Sequence, residues 1–191
     1  MRASALVENR DIALYASDAG SRLVVEGSLV EGTQPRPATK KYGRGVEVND
    51  GASASILRTA LVGNHEAGLF ASDVGTVLEV TESVIADTAA EEATGEFGYG
   101  VETDGGASVT VKGTALVRNH ESGVAASMKG TTLTLERCLV AATTPVALHP
   151  YGGSGLFATS TASAVVPAST FDRNTSAAIA LEAGASLDLD G

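Results

Sequence analysis

Residues 59–113 read TALVGNHEAGLFASDVGTVLEVTESVIADTAAEEATGEFGYGVETDGGASVTVKG, and copies of this stretch make up the rest of the chain. The copies begin at Ser4, Thr59, Thr114 and Ser169, which are 55 residues apart without gaps. A fixed period of this length is typical of stacked repeat architectures, in which each unit contacts only its neighbours. The sequence therefore predicts one domain over residues 1–191. Because the chain begins and ends inside a repeat, we expect it to be a segment of a longer protein.

Each unit divides into two coils of unequal length. A short strand led by Gly or Ala recurs with alternating spacings of 32 and 23 residues, at Ala13, Gly45, Gly68, Gly100, Gly123, Gly155 and Ala178. An Asp- and Gly-rich turn, a second strand of alternating polarity and a brief third strand follow it. Short β-branched segments punctuated by Gly favour strands over helices. The pattern predicts an all-β fold, a right-handed single-stranded parallel β-helix of about seven coils with three short strands per coil.

The alternation also predicts which side chains face the core, because successive residues of a strand point to opposite faces. Four aliphatic columns result. They are Leu14, Val46, Leu69, Val101, Val124, Leu156 and Ile179 in the first strand; Leu23, Ala54, Leu78, Val109, Leu133, Ala164 and Leu187, with Val25, Ile56, Val80, Val111, Leu135, Val166 and Leu189, in the second; and Leu6, Val30, Leu61, Ile85, Leu116, Val140 and Phe171 in the third.

Composition and charge limit the classes of partner. The formal net charge is −10, which argues against nucleic acid and anionic lipid, since both are bound by basic patches. No apolar run approaches the roughly 18 residues of a membrane span, so we expect no membrane insertion within this segment. A single cysteine, Cys138, excludes an internal disulfide.

Several recurring polar positions have a structural and a chemical interpretation. Asn-His-Glu occurs at 64–66 and 119–121, and a His beside a carboxylate is found in acid–base and metal sites. Because Asn also recurs at Asn9 and Asn174 without the His, we favour a corner Asn in the left-handed conformation. Cys138 aligns with a Ser/Thr column and is interpreted as a buried, unreactive small side chain rather than a nucleophile. For the Asp-Gly turns we favour turn chemistry over calcium binding. We therefore assign no catalytic residue, no metal ligand and no cofactor.

The extra residues of the long coils occur at one corner, in 33–44, 88–99 and 143–154. They should project from a single edge as loops, and variable loops of solenoids commonly form the binding side. The first is basic, the second acidic and the third nearly neutral. Their aromatic residues are Tyr42, Phe97, Tyr99 and Tyr151.

The outward column of the first strand lies beside these loops. It consists of Tyr15, Glu47, Phe70, Glu102, Ala125, Phe157 and Ala180, and Asn49 and Asp104 follow on the same side. Aromatic rings interleaved with carboxylates on a flat sheet can stack on a sugar chain and hydrogen-bond to it. The alternative is that the long loops fold back and cover Tyr15, Phe70 and Phe157 as a small hydrophobic cluster.

Coils led by GLFAS or GVETD, followed by an alternating strand and a Ser/Thr-led strand that ends in Asn, resemble the right-handed parallel β-helix repeats of the pectate-lyase-like superfamily. The resemblance covers nearly the whole chain and is greatest to long β-helix repeat proteins of bacterial surfaces. It implies an exported bacterial protein, extracellular or on the cell surface. The superfamily's enzymes depolymerise acidic polysaccharides, but their Asn-Thr-Asp, Gly-His-Gly and Arg-Ile-Lys signatures are absent here, and no catalytic position carries over.

The sequence thus predicts a non-enzymatic structural or binding segment whose long-loop edge contacts a polysaccharide or a surface protein. Repetition of the polar columns favours this function, because a catalytic site is usually one unique cluster of residues. The alternative is a polysaccharide lyase or glycoside hydrolase fragment acting on an acidic polysaccharide, with its site on Glu47, Asn49, Glu102 and Asp104.

Overall fold

The chain is a three-sided coil of parallel β-sheets. The computed structural model describes residues 1–149 and 152–190, and in this part of the chain it contains 21 strands and no helix. The strands form three parallel sheets of seven strands each, so that every sheet takes one strand from each coil. The predicted β-helix of seven coils is confirmed.

Each sheet collects one type of strand from the repeat. Sheet 1 contains the Gly-led strands β2 (Ile12–Ala16), β5 (Arg44–Val48), β8 (Ala67–Ala71), β11 (Tyr99–Thr103), β14 (Ser122–Ala126), β17 (Ser154–Ala158) and β20 (Ile179–Leu181). Sheet 2 contains the alternating strands β3 (Arg22–Glu26), β6 (Ser53–Leu57), β9 (Val77–Thr81), β12 (Ser108–Lys112), β15 (Thr132–Glu136), β18 (Ser163–Val165) and β21 (Ser186–Asp188). Sheet 3 contains the brief strands β1 (Ala5–Val7), β4 (Leu29–Glu31), β7 (Ala60–Val62), β10 (Val84–Ala86), β13 (Ala115–Val117), β16 (Leu139–Ala141) and β19 (Thr170–Asp172).

The aliphatic columns lie in register and fill the interior. In sheet 2, Ala54 pairs with Leu78 and Leu78 with Val109, and all three are buried. Equivalent side chains therefore stack from coil to coil, which buries apolar surface that a single coil would leave in water. Leu189 is the one exposed member of these columns among the described residues: its side chain is 57% exposed, since no further described coil packs against it.

The Gly that leads most sheet 1 strands has a steric cause. A Cβ built on Gly68 would lie 2.6 Å from the Ile85 Cγ2 and 2.8 Å from the carbonyl oxygen of Gly100. At Gly123, the same atom would lie 2.4 Å from Val140 Cγ1. Only a residue without a Cβ lets sheet 1 approach both the core side chain of sheet 3 and the backbone of the next coil.

The Ser/Thr column before sheet 3 links adjacent coils by hydrogen bonds. The amide of Thr59 donates to the Ser83 hydroxyl at 3.1 Å, and the amide of Ser83 donates to the Thr114 hydroxyl at 3.2 Å. Cys138 takes the same position and is 3% exposed, with its thiol 3.3 Å from the Val111 carbonyl oxygen. Burial raises the pKa of the Cys138 thiol, as expected for an unreactive side chain.

The expected left-handed conformation of the corner Asn is wrong. Positive φ occurs instead one residue earlier, at Gly63 (63°) and Arg118 (56°), and two residues later, at Glu66 (60°). Asn64 and Asn119 are fully buried and use their side chains instead. The residue before each Asn and the residue two positions after it both have positive φ. The chain therefore turns inward, and the Asn side-chain amide lies inside the corner.

The corner Asn residues at 64, 119 and 174 bridge to the coil before them. The Asn119 Oδ1 accepts from the Thr88 amide at 3.1 Å, and its Nδ2 donates to the Ile85 carbonyl at 3.1 Å. Asn174 makes the equivalent bonds to Thr143 and Val140 at the same distances. The bond from the Thr88 or Thr143 amide satisfies a backbone donor just beyond sheet 3, where the strand has ended.

We expect Asn119→Ala to lower the free energy of unfolding by about 2 kcal/mol, because it leaves the Thr88 amide buried without its partner and removes the bond to the Ile85 carbonyl. Urea denaturation measures the loss. Asn119→Asp is the matched variant: it keeps the acceptor, but it buries a carboxylate facing the Ile85 carbonyl oxygen, so it should lose at least as much near neutral pH. A loss below about 0.5 kcal/mol for Asn119→Ala, the range of ordinary surface substitutions, would contradict this role of the side chain.

Candidate ligand-binding site

The three long loops form a continuous ridge along the edge of sheet 1. They connect sheet 3 to sheet 1 at the corner predicted from the sequence. The Ala93 amide donates to the Lys40 carbonyl at 2.9 Å, and the Lys40 ammonium lies 3.0 Å from Glu92. His149 of the third loop lies 3.4 Å from Glu96 of the second. We call residues 32–43, 87–98, 142–149 and 152–153 the loop ridge.

A carboxylate from three of the four short turns pairs with the loop ridge or with the residue that ends a loop. This carboxylate stands two positions after the corner Asn. The pairs are Asp11 with Arg36 Nε (2.7 Å), Glu66 with Arg44 Nε (3.0 Å) and Glu121 with His149 Nδ1 (2.8 Å). The sequence analysis did not predict this role. The signal was present, because acidic residues recur every 55 residues at Asp11, Glu66 and Glu121.

The His of Asn-His-Glu is structural, as favoured from the sequence. The Nδ1 of His65 lies 3.0 Å from the Thr33 carbonyl oxygen, and that of His120 lies 2.7 Å from the Thr88 carbonyl oxygen. The Thr175 hydroxyl donates to the Thr143 carbonyl in the third copy, at 2.9 Å. Each side chain therefore fixes the start of a long loop. Within residues 1–149 and 152–190, no cluster of His, Cys, Asp or Glu side chains has the arrangement needed to hold a metal ion.

The outward column of sheet 1 is in register but unevenly exposed. Neighbouring strands pair Tyr15 with Glu47, Glu47 with Phe70, Phe70 with Glu102, Glu102 with Ala125, Ala125 with Phe157 and Phe157 with Ala180. Tyr15 is 55% exposed, Glu47 is 8% exposed, and Phe70, Glu102 and Phe157 are half-buried. The column is therefore an exposed surface at Tyr15 and a covered one at its centre.

Arg44 covers the centre of this column. Its guanidinium lies 3.9 Å from the centroid of the Phe70 ring, 2.8 Å from Glu47 and in hydrogen-bond contact with Glu66. Its side chain is only 11% exposed. Burial raises the pKa of Glu66 even with Arg44 beside it, so the pair is held in a poorly hydrated environment. The alternative, in which the long loops fold back and cover the aromatic rings, thus applies to Phe70 and does not apply to Tyr15.

A cleft opens beside Tyr15. It has a volume of about 620 Å³ and is lined by Asp11, Ile12, Tyr15, Arg36, Tyr42, Arg44 and Glu47. The guanidinium groups of Arg36 and Arg44 lie 4.7 and 5.0 Å from the centroid of the Tyr42 ring. The structure therefore brings Tyr15, Tyr42 and Glu47 of the predicted site into one cavity, which we call the Tyr15 cleft.

A second and smaller cleft lies beside Phe157. It has a volume of about 260 Å³, and its lining includes Glu121, His149, Ser154, Phe157 and Glu182. The hydrogen bond to Glu121 raises the pKa of His149. Phe157 is four strands from Glu47 along sheet 1, which corresponds to about 19 Å at ordinary strand spacing. Tyr151, also predicted as a site residue, lies outside the described residues.

The middle of the ridge encloses Glu102. Burial raises the pKa of Glu102 to about 8, the positive charge of Arg44 opposes the rise, and the negative charges of Glu66, Asp104 and Glu121 add to it. Phe97 and Tyr99 pack edge to face, with ring centroids 5.9 Å apart. Burial also raises the pKa of Tyr99, and the negative charge of Glu121 adds to the rise. These two aromatic side chains belong to the loop–sheet contact rather than to the Tyr15 cleft.

Asn49 and Asp104 support their neighbours. The Asn49 Nδ2 donates to Glu47 Oε1 at 3.2 Å. Asp104 lies in the turn after β11, where its carbonyl accepts from the Ala107 amide at 3.0 Å. Asn49 therefore orients a carboxylate of the cleft, while Asp104 acts on Glu102 only through its charge.

Comparison with known protein families agrees with this architecture. The family model described as right handed beta helix region matches residues 41–191. The chain therefore belongs to the right-handed β-helix family, a class of stacked-coil proteins. No curated protein matches the chain. The described residues contain no helix of the length and apolarity that a bilayer crossing demands.

Proposed function

We propose that this chain is a non-enzymatic structural and binding segment of an exported bacterial β-helix protein, located outside the cell or on its surface. Its ligand is a polysaccharide that lies along sheet 1 beside the loop ridge. One observation carries the proposal: the exposed ring of Tyr15 stands in a cleft whose charged groups are held by ion pairs. An aromatic platform with fixed polar groups around it is typical of sugar recognition.

The arrangement suits an extended ligand. The Tyr15 cleft and the cleft beside Phe157 face the same side of one sheet, about 19 Å apart when measured from Glu47 and about 24 Å when measured from Tyr15. The coils between them are connected by ladders of parallel strands, so their spacing is rigid. A rigid surface loses little conformational entropy on binding, and a polymer reaches both clefts where a small molecule fills only one.

A glycan array followed by calorimetric titration with the best oligosaccharide tests the proposal. We expect Tyr15→Ala to weaken binding by about tenfold, because it removes the stacking surface. Val24→Ala on the outer face of sheet 2 is the control and should bind like the wild type. A protein that binds no glycan, or one that loses as much affinity through Val24→Ala as through Tyr15→Ala, contradicts the proposal. Capture of a surface protein instead of a glycan would also count against it.

Glu102 supports a second candidate function, polysaccharide cleavage. A carboxyl whose pKa is about 8 is protonated at neutral pH and can act as a general acid. This function predicts that the chain releases oligosaccharides from an acidic polysaccharide and that Glu102→Gln abolishes the release. Intact polysaccharide after prolonged incubation with the wild type would eliminate it. The binding function is preferred because Glu102 packs among the half-buried side chains of the loop–sheet contact and does not line either cleft.

A further inference from the structure

We infer that the Tyr15 cleft selects a neutral sugar chain over an acidic one, an inference that rests on the proposed function and defines its ligand class. The charged side chains that line the cleft are two arginines and two carboxylates. They are joined in pairs: Arg36 Nε lies 2.7 Å from Asp11 Oδ1, and Arg44 Nη1 lies 2.8 Å from Glu47 Oε2. The lining therefore carries no net positive charge.

The positive charge of Arg44 is balanced by two carboxylates. Besides Glu47, Arg44 contacts the buried carboxylate of Glu66 from the turn behind it. With Glu66 included, the charged groups around the cleft comprise two guanidiniums and three carboxylates. A carboxylated sugar would lose part of its hydration on entering the cleft. No unpaired cation on the lining is available to offset that loss. The sequence pattern of a basic first loop does not reveal this, because the compensating acids come from a short turn and from β5.

The cleft instead offers groups that match hydroxyls. Each ion pair places guanidinium N–H donors beside carboxylate acceptors, and a pair of neighbouring sugar hydroxyls can accept from the first and donate to the second. Glu47 is further held by Asn49, at 3.2 Å, so its acceptor position is fixed before the ligand binds. The exposed Tyr15 ring then supplies the stacking surface for the apolar face of the sugar.

Calorimetric titration with a matched panel tests the inference on the full chain. The neutral probes are cellohexaose, xylohexaose and mannohexaose, and the acidic probe is hexagalacturonate. We expect at least one neutral hexamer to bind at least about tenfold more tightly than hexagalacturonate. Its Kd should change by less than about twofold between low and high salt, because no net charge is neutralised on binding.

The variant Asp11→Asn provides a more specific test of the charge argument. It leaves Arg36 unpaired, and Asn tolerates the positive φ of 75° at this position. We expect this variant to gain about tenfold in affinity for hexagalacturonate, with a strong salt dependence, while the neutral hexamer binds as before within about threefold. Glu79→Gln, which removes an exposed carboxylate from sheet 2, is the control and should leave all Kd values unchanged.

The outcomes separate the two proposals. Hexagalacturonate binding the wild type as tightly as every neutral hexamer overturns the inference and leaves the glycan-binding function in place. Binding of no hexamer by the wild type overturns both. Equal hexagalacturonate affinity for wild type and Asp11→Asn shows that Arg36 is not held back by Asp11, and it overturns the charge argument even if a neutral sugar binds.

Discussion

Arg44→Met should lower the free energy of unfolding at about pH 7 by about 3–5 kcal/mol, the usual cost of removing one partner from a buried ion pair. The substitution leaves the carboxylates of Glu47 and Glu66 buried without their cation and uncovers the Phe70 ring. Met retains much of the aliphatic stem, so lost packing is a small part of the effect. Denaturation by urea, followed by circular dichroism, measures the loss.

The pH dependence and two controls distinguish this explanation from simple misfolding. Burial already raises the pKa of Glu66, so towards about pH 5 this carboxylate in Arg44→Met can protonate, and the deficit relative to wild type should shrink. Arg58→Met removes an exposed arginine that contacts Glu26 and should cost less than about 1 kcal/mol. The double variant Arg44→Met/Glu66→Gln should recover part of the lost stability. A deficit that is the same at both pH values would contradict the buried-charge account.

Glu102→Gln should remove a decline in stability between about pH 5 and pH 8. Folding raises the pKa of Glu102 from 4.5 to about 8, so the folded state binds the proton more tightly than the unfolded state. The contribution of this group is therefore complete below its unfolded pKa and is lost as the pH rises through the folded value. At about pH 8 we expect the variant to exceed the wild type by about 2–4 kcal/mol, since each unit of pKa corresponds to about 1.4 kcal/mol.

The measurement is a series of urea denaturations across this pH range for wild type and Glu102→Gln. The two curves should converge near about pH 5, where Glu102 is mostly protonated in the folded protein. Glu79→Gln, at an exposed site of sheet 2, should follow the wild type at every pH. Parallel curves for wild type and Glu102→Gln would show that Glu102 ionises normally, which would also remove the main support for polysaccharide cleavage.

The fold was predictable because its information is repeated. Leu78, Val109 and Leu133 occupy one column, and the same alternation occurs in every coil, so a single wrong assignment would have disturbed the whole repeat. The period also fixes the register, because strands of one type are separated by whole coils. The outward column from Tyr15 to Ala180 followed from the same alternation and is confirmed by the pairing.

The contacts of the site were not predictable in the same way. Arg44 reaches Phe70 and Glu66 because its long side chain bends across β8, and alternation along a strand contains no information on that direction. The corner Asn was assigned to the left-handed region on its residue preference, yet Gly63 and Arg118 take that conformation. Burial decides this case: an amide side chain inside the corner satisfies two backbone groups, and this gain outweighs the local preference of Asn.

Hydrogen–deuterium exchange with a bound oligosaccharide is the most direct test of the central claim that ligands bind on sheet 1 beside the loop ridge. The probe is the tightest-binding hexamer of the panel at saturating concentration, compared with the free protein. The account predicts slower exchange in β2, in residues 33–43 and in β5, with unchanged exchange in the sheet 2 strands β3 and β6. Protection confined to sheet 2 or sheet 3, with β2 and β5 unaffected, would contradict it.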